Sequence, residues 1–397
     1  MATKKIRISK YHEWDYYLVL VTFILSLGGI VLAFSASYYT SMSKYGTPYR
    51  FLEHNLVWYA LGWFLLLVFA RIDYHVLKHF AIPAIVIGLG LLVLLLLPLP
   101  ICITINNATR WLGYKNVPIT IMPGELIKPA IILFFASLFS SKPEKIKGVV
   151  MPILLFGLLG VIFLLIFKEP NLSTACIVVL LGAALMFIAG LNWIWVFLAG
   201  GGAAAGILFL VVSKSGYMLT RIKTAFDPWA DPLGSGYQVV QSLLALGSGG
   251  VLGKGLGDSI QKTLYLPEPQ SDFILPIIGE EIGYVGLLVI LAFYVVLFAR
   301  LISVSLRAKD RFGSLLAAGT AVLLALHVIL NVLVVTATFP PTGVFLPFMS
   351  QGGNATLVFL VLIGISLNVS RQAYVAPEKE EEPETEAKAE LTEGQAI

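Results

Sequence analysis

The run YYLVLVTFILSLGGIVLAFSASY, from Tyr16 to Tyr38, carries no charged side chain. Wound as a helix at 1.5 Å per residue it is about 34 Å long, enough to cross a hydrocarbon core of roughly 30 Å. It follows a basic start of Lys4, Lys5, Arg7 and Lys10, and it outlasts the roughly 7–15 apolar residues of a signal-peptide core. The run therefore reads as a retained first helix, despite the small residues Ser35 and Ser37 near its end. Similar runs place further helices at 55–71, 80–101, 124–140, 149–167, 173–190, 191–213, 275–300, 312–337 and 354–370. The sixth and seventh meet at Gly190, Leu191 and Asn192, which implies a tight turn. The expected fold is an all-α polytopic membrane protein of about ten transmembrane helices, with a large loop at 214–274 between the seventh and eighth.

Composition agrees. Hydrophobic residues make up 58% of the chain and charged ones 13%, with a mean hydropathy of +0.87. A soluble domain carries about 25% charged residues, so lipid is the solvent of this fold. The net charge of +4 is unevenly spread: eight of the 23 acidic residues lie between Glu378 and Glu393, opposed only by Lys379 and Lys388. Residues 371–397 are expected to form a disordered acidic tail whose plain role is solubility. Residues 1–15 form a basic N-terminal segment and 16–370 the membrane domain. Two cysteines, Cys102 and Cys176, exclude a disulfide framework or a cysteine-rich metal site. They leave one bridge or two buried thiols as alternatives.

Basic residues orient the bundle. With the N-terminus inside, the cytoplasmic segments carry the four N-terminal bases, Arg71 and Lys78, the Lys142–Lys145–Lys147 group, Arg300 to Arg311, and Arg371. The short outward loops hold only Lys44, Arg50, Arg110, Lys115 and Lys168. Both termini are thus expected in the cytoplasm of a bacterial inner-membrane protein. Positions 39–54, 102–123, 214–274 and 338–353 are expected outside. The 214–274 loop contains a semi-amphipathic stretch, Tyr237 to Leu246, in which Val240, Leu243 and Leu244 share a helical face. It reads as a short helix at the membrane surface.

Ionisable residues inside apolar helices need a partner or a task. Glu125 and Lys128 are spaced i,i+3 at the outer start of the fourth helix. They form either a helix-end ion pair or a base held ready for an anionic ligand. Glu280 and Glu281 have no base at helical spacing, and adjacent side chains diverge by about 100°, so at least one should meet another helix. His327 and Asn331, spaced i,i+4 in the ninth helix, make a polar stripe facing the bundle, read as interhelical hydrogen bonding. Asp272 lies between a polar loop and an apolar helix. It is either an N-terminal helix cap or a partly desolvated general base. Arg221, Lys223, Lys254 and Lys262, with Arg110 from the earlier loop, are either a solvated basic loop or a seat for a phosphate-bearing headgroup. The glycine series GSGGVLGKGLGDS lacks the GxxxxGK[ST] spacing of a nucleotide loop.

These strings fall in one order: RWLG at 110–113, PGELIK at 123–128, EPNLSTA at 169–175, the stretch from DPW at 227 to GYVG at 286, and PPTGVFLPFMSQGGN at 340–354. In that order they resemble the SEDS family (shape, elongation, division, sporulation), over nearly the whole chain. DPW and SIQKTLYLPE are more similar to its FtsW-like division and sporulation branch than to its RodA-like elongation branch. The resemblance implies a GT-C-like bundle that polymerises lipid II on the outer leaflet beside a class B penicillin-binding protein. It implies that Asp272 is catalytic and that Arg110, Trp111, Glu125 and Lys128 belong to the substrate site; Arg221, Lys254, Lys262 and Glu280 are added as substrate-binding candidates from the residue reading above. The partners implied are lipid II, membrane lipids and the transpeptidase, with no nucleic acid. Departures from the family pattern, MPGE at 122–125, PNLS at 170–173 and SQGG at 350–353, put roles for Asn171 and Gln351 in doubt.

The chemistry implied is attack of an acceptor sugar 4-hydroxyl on an anomeric carbon with loss of polyprenyl pyrophosphate. A magnesium or manganese ion suits such a leaving group, but the sequence has no dedicated carboxylate cluster for one. The rival readings are a lipid II flippase, with Glu125, Lys128, Glu280, Glu281, His327 and Asn331 lining a polar route, and a non-catalytic division scaffold.

Overall fold

The computed structural model describes residues 14–105, 108–113, 120–195, 197–198, 201 and 227–373. Most of the helix expected at 191–213, Arg221, Lys223, and most of the basic N-terminal segment and of the acidic tail lie outside the described residues.

Eight described helices are long and apolar enough to cross a membrane: α1 (Tyr16–Tyr45), α2 (Arg50–Arg71), α3 (Tyr74–Leu95), α4 (Pro123–Ser141), α5 (Val150–Lys168), α8 (Ile274–Arg307), α9 (Arg311–Val335) and α10 (Gly353–Arg371). A shorter apolar helix, α6 (Leu172–Ile188), packs among them, and α7 (Tyr237–Ser248) belongs to the long loop. The expectation of a helical, polytopic membrane fold holds. Several ends move. The first helix runs on to Tyr45, and the second begins at Arg50. The third begins at Tyr74 and stops at Leu95, ahead of Pro98 and Pro100. The 102–123 loop contains an antiparallel hairpin, β1 (Cys102–Ile105) and β2 (Ala108–Leu112), with an irregularity between Ile103 and Thr104. Cys102 and Cys176 are free and half-buried, so neither the bridge nor full burial is realised.

α9 and α10 form the centre, with 61% and 72% of their apolar windows buried against 22% for α3 and for α8. α10 lies along α2, where a side chain on Gly364 would strike the carbonyl of Leu66. Small residues at such a crossing let two backbones approach where lipid supplies no hydrophobic drive between helices. α4 packs on α3, α6 and α9, and α1 on α8. At one end Asp15 accepts from Leu18 N at 3.0 Å and pairs with Arg300 at 2.5 Å, fastening α1 to α8.

α8 is not the continuous helix the sequence suggests. It breaks at Gly283, whose φ of 70° and ψ of −173° suit only glycine. The glycine-rich loop fills the break. Lys254 N and Gly255 N donate to the carbonyls of Glu280 and Glu281, and Tyr284 N and Val285 N donate to those of Gly250 and Val251, all at 2.9–3.1 Å. Without these four bonds the break would leave unpaired backbone groups inside an apolar segment, at several kcal/mol each. Close approach explains two of the glycines: a side chain at Gly253 or Gly283 would run into the backbone of the other.

α7 also turns a different face inward. Val239, Val240, Ser242 and Ala245 are buried, while Leu244 is exposed. Ser242 Oγ donates to the carbonyl of Val335 at 2.8 Å, one of the carbonyls that the end of α9 leaves without a helical partner. That polar need sets the rotation of α7.

Gly283→Ala is expected to lower the melting temperature of the purified protein, since strain of this kind costs about 1–3 kcal/mol before the collision with Gly253 is counted. Gly157→Ala, where a side chain meets open space, should leave it unchanged; equal melting curves for the two variants would refute the account of the break.

Candidate active site

The segment between α9 and α10, expected as an outward loop, instead descends into the bundle as non-helical chain. Val344, Leu346, Phe348, Met349 and Ser350 are all buried. Its carbonyls are met by side-chain donors from three helices. Asn331 Nδ2 of α9 donates to Val344 O at 2.7 Å, and Tyr59 OH of α2 donates to Phe348 O at 2.6 Å. Tyr294 OH of α8 donates to Pro347 O, and His327 Nδ1 lies 3.1 Å from Phe345 O. His327 stands eight residues before the end of α9, so the segment reaches about 12 Å below that end.

This arrangement fixes the His327 tautomer. A carbonyl only accepts, so Nδ1 carries the proton and Nε2 is left as an acceptor. Lys128 Nζ supplies the donor at 3.1 Å and pairs on its other side with Glu125 Oε2 at 2.7 Å. Glu125, Lys128 and His327 are each 2% exposed or less. The i,i+3 pair is therefore real, and it is also one arm of a longer chain from α4 through α9 to the re-entrant backbone. Removing one member of such a buried pair costs about 3–5 kcal/mol.

One helical turn along α9, Asn331 bridges two segments. The same amide that holds Val344 O also donates to the carbonyl of Asp272 at 2.8 Å. Asp272 is half-buried, its Oδ2 facing the open side of Gly343 and its Oδ1 3.4 Å from Ser271 Oγ. The cap position of α8 falls on Phe273, which makes no side-chain cap bond. Asp272 stands one residue ahead of that cap position. Asn331 thus ties the aspartate at the rim of the bundle to α9, one turn from His327, the partner of the buried Lys128.

Arg110, on β2, forms an adjoining wall. Its Nε donates to Glu169 O at 3.2 Å and its guanidinium also bonds Pro170 O, tying the hairpin to the turn between α5 and α6. Trp111 is half-buried opposite Ile103 in the hairpin. That turn abuts the start of α4, where a side chain on Gly124 would touch Thr174. It carries an acid the sequence reading passed over. Glu169 is 2% exposed, and neither carboxyl oxygen has a hydrogen-bond partner. Burial pushes its pKa up to about 8, against a smaller downward pull from Arg110. The available signal was an acid following an apolar helix, beside a single lysine at Lys168.

The remaining expected residues gather elsewhere. Glu280 accepts from Lys254 Nζ at 2.6 Å, Ser259 Oγ at 2.5 Å, Ser248 Oγ at 3.0 Å and Gln261 N at 3.1 Å. Glu281 takes Lys262 Nζ and Ser35 Oγ, both at 2.6 Å, so one of the two acids does reach another helix. The Lys262 side chain is 2% exposed and the Lys254 side chain 28%. As placed, these two lysines anchor the loop to α8 and are not loop cations turned to solvent.

Below the rim, a cavity of about 300 Å³ runs along α4 from Leu126, next to Glu125, past Pro129 and Leu133 toward Leu77 and Ile365. Its lining is almost wholly apolar. Among the described residues no three His, Cys, Asp or Glu side chains converge as metal ligands.

Residues 16–375 match the model of the cell cycle protein family of FtsW, RodA and SpoVE. The chain is 36% identical over 366 residues to the probable peptidoglycan glycosyltransferase FtsW of Trichlorobacter lovleyi, covering 92% of this chain and 95% of that protein. It is 37% identical over 361 residues to the stage V sporulation protein E of Bacillus subtilis, covering 90% and 97%. Among solved structures, a chain of a peptidoglycan synthase complex that coordinates polymerization and crosslinking is similar, with a TM-score of 0.75 and 26% identity. That match covers 91% of this chain and 99% of the other.

The state of Glu169 can be read in stability against pH. Its folded pKa of about 8 lies above the ordinary 4.5, so its contribution is fully present below about 4.5 and is lost as pH rises through about 8. The parent should therefore lose more melting temperature between these limits than Glu169→Gln. Parallel curves for parent and variant would show that the carboxyl is charged throughout.

Proposed function

The chain belongs to the cell cycle protein family of FtsW, RodA and SpoVE, and from that premise we propose that it is a peptidoglycan glycosyltransferase that polymerises lipid II into glycan strands. The observation that carries this reading is Asp272, a half-buried carboxylate gripped through its main chain at the bundle rim by Asn331, which lies one helical turn from His327, the partner of the buried Lys128. Asp272 takes the proton of the acceptor 4-hydroxyl as that oxygen attacks the anomeric carbon of the donor. A hydroxyl is a weak nucleophile, and a positioned base raises the rate by about 10²–10⁴-fold. The leaving pyrophosphate gains negative charge, which Arg110 and Lys128, the central member of the Glu125–Lys128–His327 chain, stabilise. The apolar cavity along α4 holds a polyprenyl tail with its headgroup at the rim, which aligns the reacting atoms. Among the described residues no three His, Cys, Asp or Glu side chains form a metal-ligating set; a magnesium or manganese ion would be held by the pyrophosphate itself, whose charge it would offset.

The partner is a class B penicillin-binding protein, in keeping with the synthase complex of the similar solved chain. The rim faces outward and both termini are cytoplasmic, as the basic residues imply. A flippase would need a polar route through the bundle. Among the described residues, the six groups that could line one fall instead into two clusters, Glu125, Lys128, His327 and Asn331 in one and Glu280 and Glu281 with their lysines in the other.

Asp272→Asn keeps the backbone contact with Asn331 and cannot accept the proton. It is expected to insert and melt like the parent, bind lipid II, and lose polymerisation by about 10²–10⁴-fold. Near-normal polymer from this variant would remove Asp272 from the mechanism. For orientation, a cysteine at the exposed Leu233 should react with an impermeant thiol reagent in intact spheroplasts, and one at the exposed Lys309 should not. The opposite pattern would invert the topology and with it the site.

A further inference from the structure

Residues 250–256 pass for a surface loop by sequence, yet what they expose is not what water selects. Leu252 is 80% exposed, Val251 65% and Leu256 63%. Their polar groups turn the other way. The backbone of this stretch is bonded into the break in α8 through Lys254 N, Gly255 N, Gly250 O and Val251 O. Lys254 is neutralised by Glu280, and farther along Lys262 is neutralised by Glu281. Apolar side chains outside, with the lysine charge and part of the backbone paired inside, is the reverse of a solvated loop and the arrangement a lipid boundary favours.

Depth and continuity agree. The partners of the loop, Glu280 to Val285, lie about 22–30 Å along α8 from Arg300 near its other end, which places them at the outer boundary of a hydrocarbon core roughly 30 Å thick. Ser35, which shares the Lys262–Glu281 contact, belongs to the uncharged run of α1. The exposed loop side chains continue the exposed apolar face of α8 at Tyr284, Val285, Leu288 and Val289. Asp258, an exposed acid, marks where the chain returns toward water.

We infer that residues 250–256 form a re-entrant segment embedded in the lipid leaflet on the active-site side, with Val251, Leu252 and Leu256 among the acyl chains. The break at Gly283 is what lets a non-helical segment enter lipid, because each structure satisfies the other's backbone. The segment then fixes the depth of the long loop that leads to Asp272.

Nitroxide labels on single cysteines at Leu252, Leu256 and Leu233, in a Cys102→Ser, Cys176→Ser full-length background, test this directly. The protein is placed without any partner in vesicles of phosphatidylethanolamine and phosphatidylglycerol, and collision with oxygen is compared with collision with a water-soluble nickel chelate. Labels at Leu252 and Leu256 should favour oxygen several-fold over nickel, and the label at Leu233 should show the reverse. Free access of nickel to Leu252 would overturn the inference. Shielding of Leu252 only after a penicillin-binding protein is added would also overturn it, in favour of a protein-docking face. Neither readout depends on catalysis, so the inference can fail while the assignment of Asp272 stands.

Discussion

Non-helical backbone buried among membrane helices must find a hydrogen-bond partner for every polar group, and the descending segment between α9 and α10 imposes that constraint on its neighbours. The carbonyls of Val344, Phe345, Pro347 and Phe348 recruit Asn331, His327, Tyr294 and Tyr59. Once His327 is committed to Phe345 O through Nδ1, its other nitrogen is an acceptor, and Lys128 is drawn to it. Lys128 in turn requires Glu125. The position of the buried cation beneath the rim thus follows from backbone satisfaction, several contacts away from any reacting group.

The same constraint, met differently, shapes the long loop. In α8 the missing bonds at Gly283 are supplied by another stretch of main chain, and the two acids just before the break collect the lysines of that stretch. Side chains satisfy backbone in one place and backbone satisfies backbone in the other. Both devices set the register of Asp272, from α9 through Asn331 and from α8 through the helix that begins two residues later.

What the sequence discloses depends on how far apart the partners lie. The helical, polytopic character and the Glu125–Lys128 pair are local, carried by run length and an i,i+3 spacing, and they read correctly. Glu280 and Glu281 advertised only their lack of a helical partner. The lysines that answer them lie 26 and 19 residues upstream, across a loop whose path no periodicity encodes. The break in α8 is hidden because IGEEIGYVG reads as ordinary apolar helix until the glycine loop arrives to replace its hydrogen bonds. The burial of residues 344–350 is hidden for a similar reason: PPTGVFLPFMSQGG is rich in turn formers, and the donors that make its descent affordable sit on three different helices. Asp272 was legible as a residue at an edge. Its attachment to Asn331 was not.

The acids of this chain separate by how they are held. Glu280 is fixed through its carboxylate, which accepts four bonds, and its charge is spent on holding the loop. Glu125 and Glu281 are likewise committed to lysines. Asp272 is gripped by Asn331 through its carbonyl, so its position is set by a bond that makes no call on the carboxylate. A general base needs that division: its location must be rigid, while its basicity depends on not being neutralised by whatever fixes it. In the role proposed for Asp272, that main-chain bond fixes its location without itself drawing on the carboxylate, whereas the acids of the scaffold are located by the bonds their carboxylates accept.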